Sequence, residues 1–215
     1  SDEVVALVDR FLAADPDRLT AVAACQWLSH ERENSGDPAA ATRAAERALT
    51  LIRDDDGPWS RAMSHALLAE LTMHMGDRAA ATGHARAALP VMHRIGAVDD
   101  EIQLRALLVL CAVAAGRLAE AEEELARIDR IDERAAAFGG GIFRYICRAE
   151  LMLASGDSAG GLRSYRECVT RMRELQIPGM EWTGTEPWAL FGDAMALSAY
   201  AWYAGGEDEA HGRAL

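Results

Sequence analysis

Residues 35–41 read Ser-Gly-Asp-Pro-Ala-Ala-Ala, and this short pattern decides the fold because it returns at a fixed distance along the chain. A glycine followed by a polar residue and an alanine-rich stretch stands at Gly36, Gly76, Gly116 and Gly156, forty residues apart each time. A period of this size is typical of stacked repeats, in which neighbouring units bury one another's apolar faces. We therefore predict an array of helical repeats, which presents a long surface rather than an enclosed reaction site.

Apolar residues at helical spacing on both sides of each glycine predict two helices per repeat. The predicted class is all-α, a right-handed superhelical array of antiparallel helix pairs with about ten helices, forming one domain over residues 1–215. The predicted divisions are a leading helix in 1–17, repeats at 18–57, 58–97, 98–137 and 138–177, a long loop at 178–187, and an incomplete fifth repeat at 188–215. The predicted helices cover 2–14, 19–34, a segment from 38, 60–75, 78–94, 99–115, 118–131, 142–155, 158–175, 188–204 and 207–215. Since arrays need capping repeats and none closes this one, we expect a piece of a longer protein.

The composition favours a helical protein with a real core and disfavours several classes of partner. Half of the residues are hydrophobic and 43 are alanine, the strongest helix former. The net charge is −12 and all 22 basic residues are arginine, so direct nucleic-acid binding by this chain is not expected. The longest apolar run, 102–115, is interrupted by Gln103 and Arg105 and is too short to span a bilayer. No signal peptide opens the sequence, and we expect a cytoplasmic protein with no membrane partner.

The four cysteines predict buried, reduced thiols rather than a disulfide or metal site. Cys25, Cys111, Cys147 and Cys168 are widely spaced and form no Cys-x-x-Cys pair. Three of them lie inside apolar helical patterns, where a free cysteine behaves as a small hydrophobic side chain.

The third repeat combines two different helices. Residues 102–115 are apolar on almost every side, so we expect neighbouring helices to cover this segment from two directions. Residues 118–131 have one apolar stripe and one solvent-exposed face, on which we place Glu123 and Glu124. Glu123 and Arg127 have the spacing of a favourable i,i+4 pair.

Positions counted from each glycine carry a family resemblance. A leucine stands eight residues before three of the glycines, and Ala41, Ala81, Ala121 and Gly161 stand five residues after them. This alternation of large residue, small residue, glycine and alanine resembles the tetratricopeptide repeat. The period exceeds the usual 34 or so residues of that repeat, and its aromatic positions are mostly missing, which makes this a long-helix variant.

Three further segments resemble a narrower group. Residues 58–62, 84–89 and 184–193 are similar to the C-terminal tetratricopeptide regions of large actinobacterial transcriptional regulators, the Streptomyces antibiotic regulatory protein class. The resemblance implies a DNA-binding domain, and often an NTPase domain, upstream on the same polypeptide, with the helical array as a sensor or partner-binding part. We therefore expect binding rather than catalysis. The alternatives are a stand-alone adaptor or scaffold and a helical array that binds a small molecule; a homodimer is also open.

The resemblance also implies which residues face a partner. In tetratricopeptide arrays the first helix of each pair lines a concave groove, with contacts at fixed positions before the glycine. Carried onto this sequence, the groove residues are Gln26, His30, Glu33, Asn34, Met63, Glu70, Met73, His74, Gln103, Leu110, Val113, Phe143, Ile146, Glu150, Leu153, Met195, Trp202 and Tyr203. Such a groove is acidic at one end and apolar toward the other, which suits a protein or peptide segment bearing basic residues. The alternative is a merely solvated face.

Two further groups of residues, one of histidine and glutamate and one of tryptophan, are candidate ligand sites. His30, Glu70 and His74 have zinc-binding chemistry, but no HExxH-like spacing supports a metal, and we interpret them as solvated groove residues. We expect no catalytic residue, metal or cofactor. Trp182 and Trp188 flank the long loop and are candidates either for a lid over a ligand or for a structural plug.

Overall fold

A computed structural model describes residues 2–131, 140–174 and 197–198. Within these ranges the chain forms nine α-helices and no β-strand, which confirms the all-α class and the succession of helix pairs. The helices are α1 Asp2–Ala13, α2 Arg18–Asn34, α3 Pro38–Leu51, α4 Pro58–His74, α5 Arg78–Ile95, α6 Val98–Ala114, α7 Leu118–Asp129, α8 Phe143–Ala154 and α9 Ser158–Glu174. Short 3-10 helices occupy Asp54–Asp56 and Gly140–Ile142.

The predicted helix boundaries agree with the structure to within two residues at each described end. The largest difference at a helix start is at α4, which begins at Pro58 rather than at residue 60. Proline is well placed there because its fixed φ suits the first helical turn. The N–H group that proline lacks would have no intrahelical acceptor at this position.

The four periodic glycines end α2, α4, α6 and α8 in the same way. Gly36, Gly76, Gly116 and Gly156 have φ values of 80°, 83°, 71° and 92°, in the left-handed region that favours glycine. The residue after each glycine donates its backbone N–H to a carbonyl five residues earlier, as in the bond from Asp77 to Thr72 at 2.8 Å. This Schellman arrangement ends one helix and reverses the chain into the next, which explains why the glycine recurs.

The polar residue after the glycine usually starts the following helix. The carboxylates of Asp37, Asp77 and Asp157 accept from the backbone N–H three residues later, at 2.9, 3.0 and 2.8 Å. Arg117 stands at the same place before α7 and makes no side-chain cap. The repeated Gly-Asp pair therefore combines a helix stop with a helix start.

The chain divides into two compact units at residues 1–97 and 98–215, and this division falls between the second and third predicted repeats. In the first unit α2 packs on α3, α4 packs on α5, and α3 and α2 both contact α4. Leu67, Leu68 and Leu71 of α4 meet Ala41 and Ala45 of α3 in one core cluster. The alanines are fully buried, so their small side chains allow close approach of the two helices.

In the second unit α6 contacts α7 and α8, and α8 pairs with α9. Ten of the residues of α6 are buried, which confirms that neighbours cover this apolar helix from two directions. Ile102 and Val109 of α6 share a core cluster with Ile128 of α7 and Cys147 of α8.

Gly161 of α9 marks a closer helix approach than its alanine equivalents in the earlier repeats. A Cβ atom built there would lie 2.5 Å from Cγ of Leu153 and 3.0 Å from the carbonyl oxygen of Ala149, both on α8. Glycine thus occupies a position where even one methyl group would collide with α8.

The prediction that Glu124 lies on the solvent-exposed face of α7 is wrong. Glu124 is buried because the Arg105 guanidinium of α6 donates to its carboxylate at 2.9 Å and Arg127 pairs with it from the same helix. Arg105 also binds Glu101 at 2.8 Å, so the arginine that interrupts the apolar run is held between two carboxylates. Glu123 does pair with Arg127 as predicted, at 3.8 Å.

All four cysteines are free and buried, as predicted. Burial raises the pKa of the Cys168 thiol to about 12 and raises that of Cys147 as well. Thiols that stay protonated at neutral pH are poor nucleophiles and poor metal ligands, which fits a packing role.

Some predictions fall outside the described residues. They concern the loop at 178–187 with Trp182 and Trp188, nearly all of the incomplete fifth repeat, and the groove residues Met195, Trp202 and Tyr203. Within the described ranges, no helix has both the length and the apolar character needed to cross a membrane.

Candidate functional site

The first helices of the first two repeats lie against each other in the first unit. Gln26 of α2 donates from its Nε2 to the Ser60 carbonyl oxygen at 2.9 Å and to the Ser64 hydroxyl at 3.0 Å, both on α4. Gln26 was predicted to face a partner, and the structure uses its amide to join α2 to α4. The contact fixes how the remaining groove residues of the two helices face one another.

Three predicted groove residues meet where α2 and α4 approach their ends. Glu33 of α2, together with Glu70 and His74 of α4, places one potential ligand atom per residue within 4.8 Å of the others. The Nδ1 atom of His74 lies 3.0 Å from Oε1 of Glu33. Glu33 and Glu70 are half-buried, whereas the His74 side chain is 58% exposed. We call these three residues the Glu33–Glu70–His74 cluster.

The repeat itself brings the cluster together. Glu70 and His74 are one turn apart on α4 and therefore share a face. Glu33 and His74 are 41 residues apart, close to one period, so they occupy nearly equivalent places before Gly36 and Gly76. Stacking one repeat on the next makes such residues neighbours in space.

The electrostatics of the cluster favour a cation. Burial raises the pKa of the Glu70 carboxyl, and the nearby Glu33 carboxylate raises it further. His74 and His30 act in the opposite direction on the pKa of Glu70. Two neighbouring carboxylates with little access to water gain from a positive charge between them.

The other predicted groove residues of the first unit do not belong to this cluster. His30 and Asn34 of α2 are exposed, whereas Met63 and Met73 of α4 are half-buried. The exposed and half-buried residues together leave an acidic, partly apolar surface on α2 and α4.

In the second unit the predicted apolar groove residues that the structure describes are buried or half-buried. Val113 and Leu153 are buried, and Phe143 packs against the core cluster shared by α6, α7 and α8. Gln103, Leu110 and Ile146 are half-buried. Glu150 of α8 is half-buried and accepts a hydrogen bond from the Tyr165 hydroxyl of α9.

A histidine pair between α4 and α5 was not predicted, because no motif links the two positions. The Nδ1 atoms of His65 and His84 are 3.0 Å apart, and the two ring centroids are 5.2 Å apart. Burial lowers the pKa of both imidazoles, and for His65 the nearby His84 and Arg61 lower it further. A hydrogen bond between the two Nδ1 atoms needs a proton on one ring and a lone pair on the other. It is therefore lost when both rings are protonated.

We expect this pair to make the folded state less stable in mild acid. The folded-state pKa values lie below the ordinary 6.5, so the unfolded chain binds more protons as pH falls, and the stability present above pH 6.5 is lost below it. Replacing both histidines with glutamine should flatten the change in the urea midpoint between about pH 7.5 and about pH 5.5. The exposed His93→Gln variant serves as the control. An unchanged pH dependence in the double variant would count against the pair.

A pocket of about 210 Å³ lies among α1, α2 and α3 of the first unit. None of the predicted groove residues lines it, and ligand pockets for drug-sized molecules are usually larger, about 300–1,000 Å³. Its lining residues are Asp9, Leu12, Cys25, Leu28, Arg32, Ala40, Arg43, Ala44 and Arg47.

A scan of the sequence against protein-family models finds no match. A search of curated proteins likewise finds no match. The tetratricopeptide resemblance thus depends on the periodic residues themselves.

Proposed function

We propose that this chain is the interaction or sensor module of a cytoplasmic transcriptional regulator and binds a partner segment through the first helices of its repeats. The observation that carries the proposal is the meeting of Glu33, Glu70 and His74 from two repeats on one face. Glu33 and His74 are 41 positions apart in sequence, so two successive repeats contribute to one surface that a partner segment could contact.

The chemistry of that surface supports a partner with basic residues. Glu33 and Glu70 present carboxylates that are only partly hydrated, and the chain has a net charge of −12. Complementary charge steers a basic segment toward such a face and suppresses acidic competitors. Half-buried Met63 and Met73 add adaptable apolar contact of the kind used by groove-binding modules.

The regulatory part of the proposal is supported by the sequence resemblance to actinobacterial regulators of the Streptomyces antibiotic regulatory protein class. In such a protein a bound partner would favour one arrangement of the array and pass that bias to a DNA-binding part. We expect the gene for this chain to encode a DNA-binding domain on the same polypeptide. A gene without one would support a stand-alone adaptor instead.

Charge reversal tests the binding face directly. The Glu33→Arg/Glu70→Arg double variant should keep its helical circular dichroism while its affinity for an arginine-rich amphipathic peptide falls at least about tenfold, since like-charge contacts cost several kcal/mol. Fluorescence anisotropy with a labelled peptide gives both affinities.

The matched control reverses two exposed carboxylates on second helices, Glu46→Arg of α3 with Glu122→Arg of α7. It carries the same change in net charge and should bind the peptide within about twofold of the parent protein after long-range attraction is screened by salt. Equal losses in both double variants would show that net charge, and not this face, governs binding.

A further inference from the structure

We propose that the Glu33–Glu70–His74 cluster binds one zinc ion between α2 and α4. The inference uses the same three residues as the proposed function, but it concerns a metal ion, and its test needs no protein partner. It departs from the interpretation of these residues as solvated groove side chains.

The first support is convergence. Among the described residues, these three side chains each place one ligand atom within 4.8 Å of the other two. Ligand atoms around a tetrahedral zinc are roughly 3.3 Å apart, given bond lengths of about 2.0–2.1 Å. His74 Nδ1 and Glu33 Oε1, which share a hydrogen bond in this structure, are 3.0 Å apart, close to that spacing. One Glu70 carboxylate oxygen lies within 4.8 Å of a ligand atom of each of these residues and would have to move closer to complete the site.

The second support is the donor set. One imidazole and two carboxylates suit zinc, which accepts nitrogen and oxygen ligands and is often held by three protein groups plus water. Calcium and magnesium prefer six or more oxygen ligands. The cluster has no thiolate, so it does not have the soft ligands that select copper(I).

The third support is the scaffold. Glu33 is on α2, whereas Glu70 and His74 are one turn apart on α4, so both helices contribute ligands. The hydrogen bonds from Gln26 to Ser60 and Ser64 hold α2 against α4 independently of any metal. Ligands on packed helices are placed more accurately than ligands on loops.

His30 is a further potential nitrogen ligand close in sequence to Glu33. It is exposed on α2, one turn before Glu33. It lies outside the 4.8 Å cluster, so we assign the primary ligands to Glu33, Glu70 and His74 and expect replacement of His30 to have a smaller effect.

The experiment is a zinc titration of the full 215-residue chain without an affinity tag, in competition with a chromophoric chelator. We expect one equivalent of zinc to bind, and the His74→Gln and Glu70→Gln variants to lose at least about tenfold in affinity. Replacing residues that only hydrogen-bond to a metal ligand commonly causes a loss of that size. Cobalt(II) substitution should give the absorption of a four- or five-coordinate site in the parent protein, and His74→Gln should remove it.

Two matched controls distinguish this cluster from other donors. His84→Gln removes a histidine of the same unit outside the cluster, and Glu46→Gln removes an exposed glutamate. Both should bind zinc within about twofold of the parent. Circular dichroism of every variant confirms folding, and Glu33→Gln provides a further ligand replacement if His74→Gln is unstable. Absence of a stoichiometric site, unchanged affinity in His74→Gln, or an equal loss in His84→Gln would overturn the proposal.

Discussion

Replacing Arg105 with methionine is expected to lower the free energy of unfolding by about 3 kcal/mol. Arg105 of α6 binds Glu101 at 2.8 Å and Glu124 of α7 at 2.9 Å. All three side chains are nearly buried, with exposures of 13%, 9% and 12%. Removing the cation leaves two carboxylates in a poorly hydrated interface. We expect the lower end of the range for broken buried pairs because Glu124 keeps its contact with Arg127.

Urea unfolding followed by circular dichroism measures this effect. Arg117→Met is the matched control, because Arg117 pairs with Glu120 at 2.8 Å but is 51% exposed, and it should cost less than about 1 kcal/mol. The triple replacement of Glu101, Arg105 and Glu124 by methionine should recover most of the lost stability, since an apolar substitute for a whole buried network is often neutral. Equal costs for Arg105→Met and Arg117→Met would contradict the buried network.

Replacing Tyr165 with alanine is expected to lower the free energy of unfolding by about 3–5 kcal/mol. The Tyr165 ring is 2% exposed and packs in a cluster with Ala149 and Leu153 of α8 and Leu162 of α9. Truncation leaves a cavity where α8 and α9 meet. Burial and the hydrogen bond to Glu150 both raise the pKa of Tyr165, so the hydroxyl stays protonated as a donor.

The Tyr165→Phe variant separates the ring from the hydroxyl. It keeps the packing and removes the donor to Glu150, which should cost about 1 kcal/mol because the half-buried carboxylate can recover part of its hydration. Trp59→Ala serves as an aromatic control, since this tryptophan is 47% exposed and should change stability by less than about 1 kcal/mol. A cost for Tyr165→Ala no larger than that of Trp59→Ala would contradict the packing.

The helices were predictable because their ends depend on local chemistry. Gly36 and its three equivalents adopt a left-handed conformation that few other residues accept, and a following aspartate such as Asp37 caps the next helix. These signals act within a few residues, so a single sequence reveals them. The apolar pattern of 102–115 likewise predicted that α6 would be covered by its neighbours.

Contacts between helices, in the core as well as at the candidate site, were harder to predict because they join residues that are far apart in sequence. Glu124 looked like a solvent-facing residue of an amphipathic helix, and only the reach of Arg105 from α6 explains its burial. In the structure the residue of α2 that clusters with Glu70 and His74 is Glu33. The sequence analysis had instead considered His30, one turn earlier on the same helix. The rotation of α2 relative to α4 decides which of the two residues meets α4, and periodicity alone does not specify it.

The most direct test of the central claim is a nuclear magnetic resonance titration of the labelled chain with the arginine-rich amphipathic peptide. The account predicts saturable chemical-shift changes centred on His30, Glu33, Glu70 and His74, with much smaller changes on the exposed sides of α3 and α5. Shifts spread evenly over acidic residues of all helices, or confined to α3 and α5, would contradict a binding face formed by the first helices of the repeats.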